Sequence, residues 1–251
     1  MVHIVGAGPG APDLITLRGA ELLKAADVVI YAGSLVNPAL LDMCRPDCEI
    51  HNSAKMTLEN VIEVIENAER SDKTTVRLHT GDPCLYGAIR EQMDELTSRG
   101  IAYDITPGVS SFCGAAAAVG AEYTLPAVSQ SVIITRMAGR TPVPERENIA
   151  AMSSHGSSMV LFLSTGLLEN LEKELVKGAY TADTPAAIVY KATWPEEKVM
   201  HCTVGTLAKT ARENDVHETA LILVGDFLSG TVERSKLYDP AFTTKFREAE
   251  K

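Results

Sequence analysis

Features that mark several classes of protein are missing from this chain of 251 residues. It has no basic excess, because its formal net charge is −10, whereas a nucleic-acid partner favours a basic face. No apolar run approaches the roughly 18 residues of a membrane span, so no membrane partner is expected. The five cysteines are odd in number and scattered along the chain. They predict reduced thiols, a cytoplasmic location and no protein-bound metal.

What the chain does contain is a regular alternation of short apolar runs and amphipathic segments. Hydrophobic residues make up 45% of the sequence, which is ample material for a packed core. Strands are predicted at 2–5, 28–31, 75–79, 103–106, 132–135, 159–163, 186–190, 199–203 and 220–224. Helices are predicted at 16–25, 38–43, 58–70, 88–98, 110–119, 145–153, 167–177 and 204–213. This alternation predicts an α/β fold, and the continuously apolar runs indicate strands covered on both faces.

Three loops that follow predicted strands, here called the glycine loops, are rich in glycine and turn-forming residues. They are 6–10 (Gly-Ala-Gly-Pro-Gly), 80–83 (Thr-Gly-Asp-Pro) and 107–111 (Pro-Gly-Val-Ser-Ser). Because such sheets bind ligands at the carboxyl ends of their strands, a cofactor site is the leading hypothesis. Tight turns and a helix N-cap at Ser110 or Ser111 are the simpler interpretations. Pro9 removes a backbone donor, which argues against a nicotinamide cofactor.

Cationic side chains in loops and at strand ends supply a second group of candidates. Arg136, Arg140 and Lys191 occupy such positions, and Lys55 and Arg77 can join them. Each alone is more often a solvated surface residue. Arginine is nevertheless well suited to a bidentate grip on carboxylates. An acidic chain that binds an anionic substrate would need cations concentrated in this way.

Two further residues have both a structural and a functional interpretation. Trp194, the only tryptophan, follows a predicted strand and either caps the core or forms a wall for a flat ligand. His79 directly precedes the Gly-Asp-Pro turn and is either a core histidine or a group of the site. A Ser-His-Asp triad is not apparent, and such triads are recognised by geometry rather than by sequence position.

The glycine loops, together with Asp-Val-Val-Ile-Tyr at 27–31, resemble the tetrapyrrole methylase family, whose members use S-adenosylmethionine. The resemblance extends over residues 2–227, with the motifs in the expected order. It implies two α/β domains with a cofactor and substrate cleft between them, and a homodimer. With the break in the pattern at 119–126, the domains are expected at 1–118 and 119–230, followed by a tail at 231–251.

Finer motifs at 31–36, 79–83, 135–145 and 189–195 resemble the branch that methylates carbon 11 of precorrin-4, or of its cobalt form, in cobalamin synthesis. Members that act on uroporphyrinogen carry a carboxylate after the second strand and a lysine before Gly-Asp-Pro. This chain has Ala32-Gly33 and His79 at those places, which argues against that substrate. The alternatives are another carbon of a corrin precursor, a diphthine synthase that acts on a protein histidine, and a cofactor-binding member of the fold without catalysis.

The resemblance also implies the residues of the site. Cofactor contacts are expected at Pro9, Thr80, Gly81, Asp82, Leu85, Ser110, Ser111, Leu163 and Ala192. A tetrapyrrole substrate is expected to contact Lys55, Arg77, Arg136, Arg140, Lys191 and Trp194. Catalysis is expected to come from positioning, with His79 and Arg136 as the candidate catalytic side chains.

Overall fold

Five strands in the first part of the chain form a parallel sheet. The computed structural model describes residues 1–230 and 235–249, and the strands are β1 (Val2–Gly6), β2 (Val28–Tyr31), β3 (Glu49–Asn52), β4 (Thr75–His79) and β5 (Tyr103–Thr106). Their order in the sheet is β3-β2-β4-β1-β5, and every pair is parallel. Parallel strands end at one edge of a sheet, so the loops after β4, β1 and β5 are neighbours there.

Helices cover both faces of this sheet. They are α1 (Leu17–Ala25), α2 (Leu58–Arg70), α3 (Arg90–Ser98) and α4 (Ser111–Val119). Thr57 and Asn60 form a capping box at the start of α2, which satisfies two backbone donors at the helix end. Ile62 and Ile65 of α2 pack with Ile30 of β2 in one core, while a second core on the other face contains Val5 and Leu78.

The second sheet is mixed. Its strands are β6 (Val132–Arg136), β7 (Ser158–Phe162), β8 (Pro185–Tyr190), β9 (Lys198–Thr203) and β10 (Ala220–Val224). The order is β6-β7-β10-β8-β9, and only the β6–β7 pair is parallel. The helices are α5 (Ile149–Ser153), α6 (Leu168–Leu175) and α7 (Leu207–Glu213). Leu171 of α6 and Leu207 of α7 share one buried core with Ile188 and Ile222 of the sheet.

The contacts of the chain divide it into two units. The first unit holds Met1–Ala115 and Lys191–Glu197, and the second holds Ala116–Tyr190 and Lys198–Lys251. The linker Lys191–Glu197 joins β8 to β9 in sequence, yet it belongs by its contacts to the first unit. The domain limits 1–118 and 119–230, and the cleft between domains, stay predictions.

The expected tail at 231–251 lies partly outside the described residues, at 231–234 and 250–251. In its described part a short 3₁₀ helix, Lys236–Tyr238, is followed by Arg247, whose guanidinium donates to the carbonyls of Leu237 and Asp239. Within the described ranges no helix has both the length and the apolar character needed to cross a membrane.

The α/β class is confirmed, and one strand was missed. All nine predicted strands are present, but β3 was not expected because its sequence, Glu-Ile-His-Asn, is short and largely polar. It is an edge strand, where one side of the ladder is open and polar residues are tolerated. The helix expected at 38–43 is a 3₁₀ helix, Pro38–Met43. The helix expected at 88–98 begins at Arg90, because Ala88 adopts a left-handed backbone with φ of 49°.

Candidate functional site

The first two glycine loops are joined through their backbones at the carboxyl edge of the parallel sheet. Ala7 N donates to His79 O at 2.7 Å, which continues the β1–β4 ladder beyond the strands. Gly8 N then donates to Gly81 O at 3.2 Å, and Gly81 N donates to Gly8 O at 2.9 Å. These reciprocal bonds form an isolated antiparallel bridge, so each loop fixes the other.

Asp82 ties the third glycine loop to the second. Its Oδ2 accepts a hydrogen bond from Gly108 N at 2.9 Å, and its Oδ1 accepts one from Cys84 N at 2.8 Å. Burial acts to raise the pKa of this carboxyl, but the hydrogen bonds from Cys84 and Gly108 outweigh burial and hold the pKa below its usual value. Both carboxylate oxygens therefore bond to the backbone of the loops themselves.

Glycine is required in these loops because their backbones touch. A Cβ atom on Gly108 would lie 2.1 Å from Gly81 O and 2.8 Å from Gly6 Cα. A Cβ atom on Gly6 would lie 2.6 Å from Gly108 Cα. Neither contact can be relieved by rotating a side chain, because all these partners are backbone atoms. Gly81 also has φ of +59°, a left-handed conformation that suits glycine.

The linker Lys191–Glu197 packs on the first glycine loop. Trp194 Nε1 donates to Pro9 O at 3.1 Å, and Ala11 N donates to Thr193 Oγ1 at 3.0 Å. A Cβ atom on Gly10 would lie 2.1 Å from the indole Cδ1 of Trp194, so glycine is what admits the ring. The sequence did not reveal this pairing of Gly10 with Trp194, since the two residues are far apart along the chain.

The backbone of this linker is strained around a predicted cofactor contact. Lys191 has φ of 45° and Thr193 has φ of 68°, and they flank the buried Ala192. A left-handed conformation is unusual for a β-branched residue such as threonine. Strain of this kind concentrates at ligand-binding sites when the surrounding contacts enforce it. Here the bonds of Thr193 and Trp194 to the first glycine loop supply that enforcement.

The predicted cofactor residues are distributed over both units. Pro9, Thr80, Gly81, Asp82, Leu85, Ser110, Ser111 and Ala192 belong to the first unit. In that unit, the glycine loops and the linker hold all of them except Leu85, which is two residues beyond the second loop. Leu163 belongs to the second unit, where it follows β7 with φ of 50° and 68% of its surface exposed. An exposed leucine in a left-handed conformation is compatible with a ligand contact.

Arg77 and His79 are buried on the same face of the parallel sheet. Arg77 Nε donates to Gln92 Oε1 and its Nη1 donates to Ile30 O, both at 3.0 Å. Burial lowers the pKa of Arg77 to about 10, so it remains charged at neutral pH. Its expected contact with substrate is not supported by this position, because only 7% of the residue is exposed and its bonds are internal.

His79 is a neutral, buried imidazole at neutral pH. Burial, with a smaller effect of the nearby Arg77 charge, lowers the pKa of His79 to about 3. Among the side chains that the structure describes, its Nε2 is the one buried nitrogen or oxygen without a hydrogen-bond partner. Leaving such a group unsatisfied costs roughly 1–3 kcal/mol. A neutral imidazole beside a permanent cation is a poor general acid at neutral pH, so His79 does not qualify as a proton donor.

The other cationic candidates differ in their surroundings. Lys55 is exposed at the end of a short 3₁₀ helix after β3. Lys191 Nζ lies 3.6 Å from Glu196 Oε1 and 5.2 Å from the centre of the Trp194 ring. In the second unit, Arg140 is exposed, while the guanidinium of Arg136 bonds to backbone carbonyls that follow it. Over the described ranges, no cluster of three or more His, Cys, Asp or Glu side chains could hold a metal ion.

The chain has two α/β units, and the first has paired glycine loops at the carboxyl edge of a parallel sheet. This combination matches a known class of enzymes. Residues 1–208 match the family described as Tetrapyrrole (Corrin/Porphyrin) Methylases. The match covers more than half of the chain, and the chain therefore belongs to the tetrapyrrole methylase family.

Individual relatives are similar over nearly their full lengths. The cobalt-precorrin-4 C(11)-methyltransferase of Methanocaldococcus jannaschii is 48% identical, with 100% of this chain and 97% of that protein covered. An X-ray structure of a cobalt precorrin-4 methyltransferase superimposes with a TM-score of 0.89 and 46% identity, covering 90% of this chain and 95% of the other.

A more distant relative was solved with a ligand. It is the uroporphyrin-III C-methyltransferase of Thermus thermophilus, complexed with S-adenosylhomocysteine. Its TM-score is 0.76 at 26% identity, covering 93% of this chain and 95% of that chain. The relative that binds the demethylated form of S-adenosylmethionine thus shares the fold of this chain.

Proposed function

We propose that this chain transfers the methyl group of S-adenosylmethionine to carbon 11 of cobalt-precorrin-4, or of precorrin-4 without cobalt, in cobalamin biosynthesis. The observation that carries this proposal is the 48% identity, along the whole chain, to a cobalt-precorrin-4 C(11)-methyltransferase. The superposition on a cobalt precorrin-4 methyltransferase at a TM-score of 0.89 also supports it. A homodimer in the cytoplasm is part of the same proposal.

The first unit has features that fit S-adenosylmethionine. The glycine loops form a cradle of close-packed backbone in which a Cβ atom at Gly6 or Gly108 would clash. Such close packing fixes the backbone N–H and C=O groups of the loops, which a ligand can then meet in one arrangement. Ser110 and Ser111 lead into α4, whose first backbone N–H groups have no partner within the helix and favour an anionic group such as a carboxylate.

In this proposal the cofactor would supply a methyl group bonded to a sulfonium sulfur, so that an electron-rich carbon can take the methyl group while S-adenosylhomocysteine leaves. The chain contributes position. The cradle presents backbone and small side chains at Gly81, Ser110 and Ala192. Asp82 sets the distance between the second and third glycine loops. Orientation of two reacting molecules can provide about 7–11 kcal/mol in favourable cases. No proton donor is needed for such a displacement, which agrees with a neutral, buried His79.

Cationic residues would orient the carboxylates of the macrocycle. The chain as a whole repels anions, since its net charge is −10. Arg140, Lys55 and Lys191 provide local positive charge in loops, and Trp194 provides a flat surface beside Lys191. Arg77 is left out of this proposed set because it is buried and bonded to Gln92 and Ile30.

The decisive experiment is incubation with methyl-labelled S-adenosylmethionine and either precorrin-4 or cobalt-precorrin-4. Mass spectrometry should show one added methyl group, and NMR should place the label on carbon 11. Uroporphyrinogen III serves as the control substrate and should stay unmethylated. Labelling of a different carbon, or of a protein histidine, would contradict methylation of carbon 11 and would indicate the activity of a different member of the family. Cofactor binding without turnover on either precorrin would contradict a catalytic function.

A further inference from the structure

The loop 137–144, here called the arginine loop, places Arg140 at its tip. Gly139 N donates to Thr141 O at 3.2 Å, so the chain reverses around Arg140. The residues at 138–142 are exposed. An exposed arginine has many conformations available, and fixing one of them costs conformational entropy. Contacts that hold the backbone around Arg140 therefore determine how well its guanidinium is presented.

Arg136, the last residue of β6, supplies those contacts. Its Nη1 donates to Met137 O and to Thr141 O, both at 3.2 Å, and its Nη2 donates to Pro142 O at 2.7 Å. Thr141 O thus accepts from Arg136 and from Gly139 at once. The planar, forked guanidinium can reach several carbonyls from one fixed position, which an ammonium group cannot do as well.

The start of the arginine loop is fixed from a second direction. Met137 N donates to Ser164 Oγ at 2.9 Å, and Ser164 Oγ donates to Phe162 O at 2.7 Å. Ser164 is completely buried, at 0% exposure, directly after β7. The base of the loop is therefore joined to two adjacent strands of the second sheet, while Arg136 joins the base to the far side of the loop.

The bonds of Arg136 leave its positive charge uncompensated by an acid. Over residues 1–230 and 235–249, no carboxylate forms an ion pair with Arg136 or Arg140, whereas Arg146 lies 3.5 Å from Glu147. Backbone carbonyls satisfy the donors of Arg136 without neutralising the guanidinium. The arginine loop therefore presents positive charge, which suits a carboxylate of the substrate.

We propose that Arg136 is a positioning residue that clamps the arginine loop, so that Arg140 is held ready for a substrate carboxylate. This inference rests on the proposed function for the identity of the substrate. It changes the expected role of Arg136, from a catalytic or substrate-binding group to one that acts through Arg140. Ser164 belongs to the same arrangement as the anchor of the loop base.

The kinetic test compares Arg136→Gln, Arg136→Lys, Arg140→Ala and the double variant Arg136→Gln/Arg140→Ala. Arg136→Gln should raise the KM for the tetrapyrrole about 10-fold, with kcat and cofactor affinity changed less than about 2-fold. Arg136→Lys should have a KM between that of Arg136→Gln and that of the unaltered protein. The KM of the double variant should equal that of Arg140→Ala within about 2-fold. Once Arg140 is gone, loss of the contacts that position the loop has no further effect on substrate binding.

Three kinetic outcomes would overturn the clamp. If the losses of the single variants multiply in the double variant, Arg136 contacts the substrate independently of Arg140. If Arg136→Gln weakens cofactor and tetrapyrrole equally, the substitution disturbs the unit as a whole. An unchanged KM in Arg136→Gln would also reject the proposal, since the loop would then position Arg140 without it.

A measurement without turnover separates this inference from the proposed function. Trypsin cleaves after Arg140 only when the loop is free to adopt an extended conformation. Arg136→Gln should accelerate that cleavage several-fold, as followed by the masses of the fragments, because the clamp is lost. Arg146→Gln is the matched control: among the described residues, the guanidinium of Arg146 pairs only with Glu147, so this variant should leave the rate unchanged. Equal cleavage in both variants would reject the clamp, whatever substrate the enzyme uses.

Discussion

The glycine loops of the first unit and the arginine loop of the second unit are held in place by different interactions. The glycine loops are held by backbone bonds between Gly8 and Gly81, and by one carboxylate that reaches Gly108. The arginine loop is held by the guanidinium of Arg136, which reaches three carbonyls of its own loop. One arrangement is thus formed mainly by the main chain, and the other by a side chain.

This difference determines what each region tolerates. Where backbones touch, as at Gly6 and Gly108, an added methyl group collides with backbone atoms of the neighbouring glycine loops. Where the proposed contact is made by an exposed side chain, as at Arg140, replacement is expected to weaken ligand binding and leave the core intact. The comparison therefore predicts that substitutions in the glycine loops reduce stability first, and that substitutions in the arginine loop reduce substrate affinity first.

The largest effect is expected from Gly108→Ala. The new Cβ would lie 2.1 Å from Gly81 O, so the backbone must shift, at a cost of about 3 kcal/mol in unfolding free energy. Gly166→Ala is the matched control in the second unit, where nothing lies within 4 Å of the added Cβ. Urea unfolding should give the control a free energy of unfolding within about 1 kcal/mol of that of the unaltered protein. Similar midpoints for both variants would contradict the backbone packing described for the glycine loops.

Asp82→Ala is expected to lower stability and cofactor affinity together. Gly108 N and Cys84 N would lose their acceptor, at a cost of about 1–3 kcal/mol, and the two glycine loops would separate. Calorimetry should show S-adenosylmethionine affinity reduced about 10-fold or more, with Asp82→Asn intermediate because its amide keeps one acceptor oxygen. Unchanged cofactor affinity in a destabilised Asp82→Ala protein would make Asp82 a turn residue only.

Arg140→Ala is expected to affect the tetrapyrrole alone. Loss of a charge-assisted contact should weaken substrate binding by about 10-fold to 100-fold, while cofactor affinity and the unfolding midpoint stay nearly constant. The loss should shrink at high salt, since an exposed arginine is screened. Equal weakening of cofactor and substrate, measured by calorimetry on the same preparation, would show that the two loop systems are not separate in function.

A smaller effect is expected from His79, seen as a pH dependence of stability. The pKa of His79 falls from 6.5 to about 3 on folding, because burial disfavours the charged form. Between these two pKa values the unfolded chain binds a proton on His79 and the folded chain does not. The free energy of unfolding therefore decreases as the pH falls below 6.5, by up to about 1.4 kcal/mol per pH unit. His79→Leu and His79→Gln should both flatten the stability curve between pH 6.5 and 5. An unchanged slope in both variants would show that His79 does not remain neutral in the folded state.

Much of the fold could be predicted from local patterns. Buried strands such as β2 and β10 are short apolar runs, and α2 directly follows Thr57, whose side chain caps the helix. These features depend on residues that are close in sequence. The edge strand β3 escaped prediction because its polar composition reflects its place in the sheet. The antiparallel pairings of the second sheet also escaped, because strand direction depends on partners far along the chain.

The candidate site divides in the same way. The glycine loops, the Gly-Asp-Pro turn and the cations were recognisable because residue type and neighbouring strands mark them. The roles of Trp194 and Arg136 were not recognisable, since they depend on which atoms their side chains reach in the folded chain. Arg77 shows the same limit: a cation at a strand was expected to meet substrate, and the fold buries it against Gln92.

The sequence by itself determined the α/β class, the family and the positions of the loops, because these depend on periodicity and on motifs of adjacent residues. Only the tertiary structure decided why Gly10 and Gly108 must be glycine, and that Asp82 bonds to the loops themselves. It also decided that the guanidinium of Arg136 bonds to carbonyls of the loop that holds Arg140. The physical reason is that each of these roles depends on distances between atoms, and local residue patterns do not specify those distances.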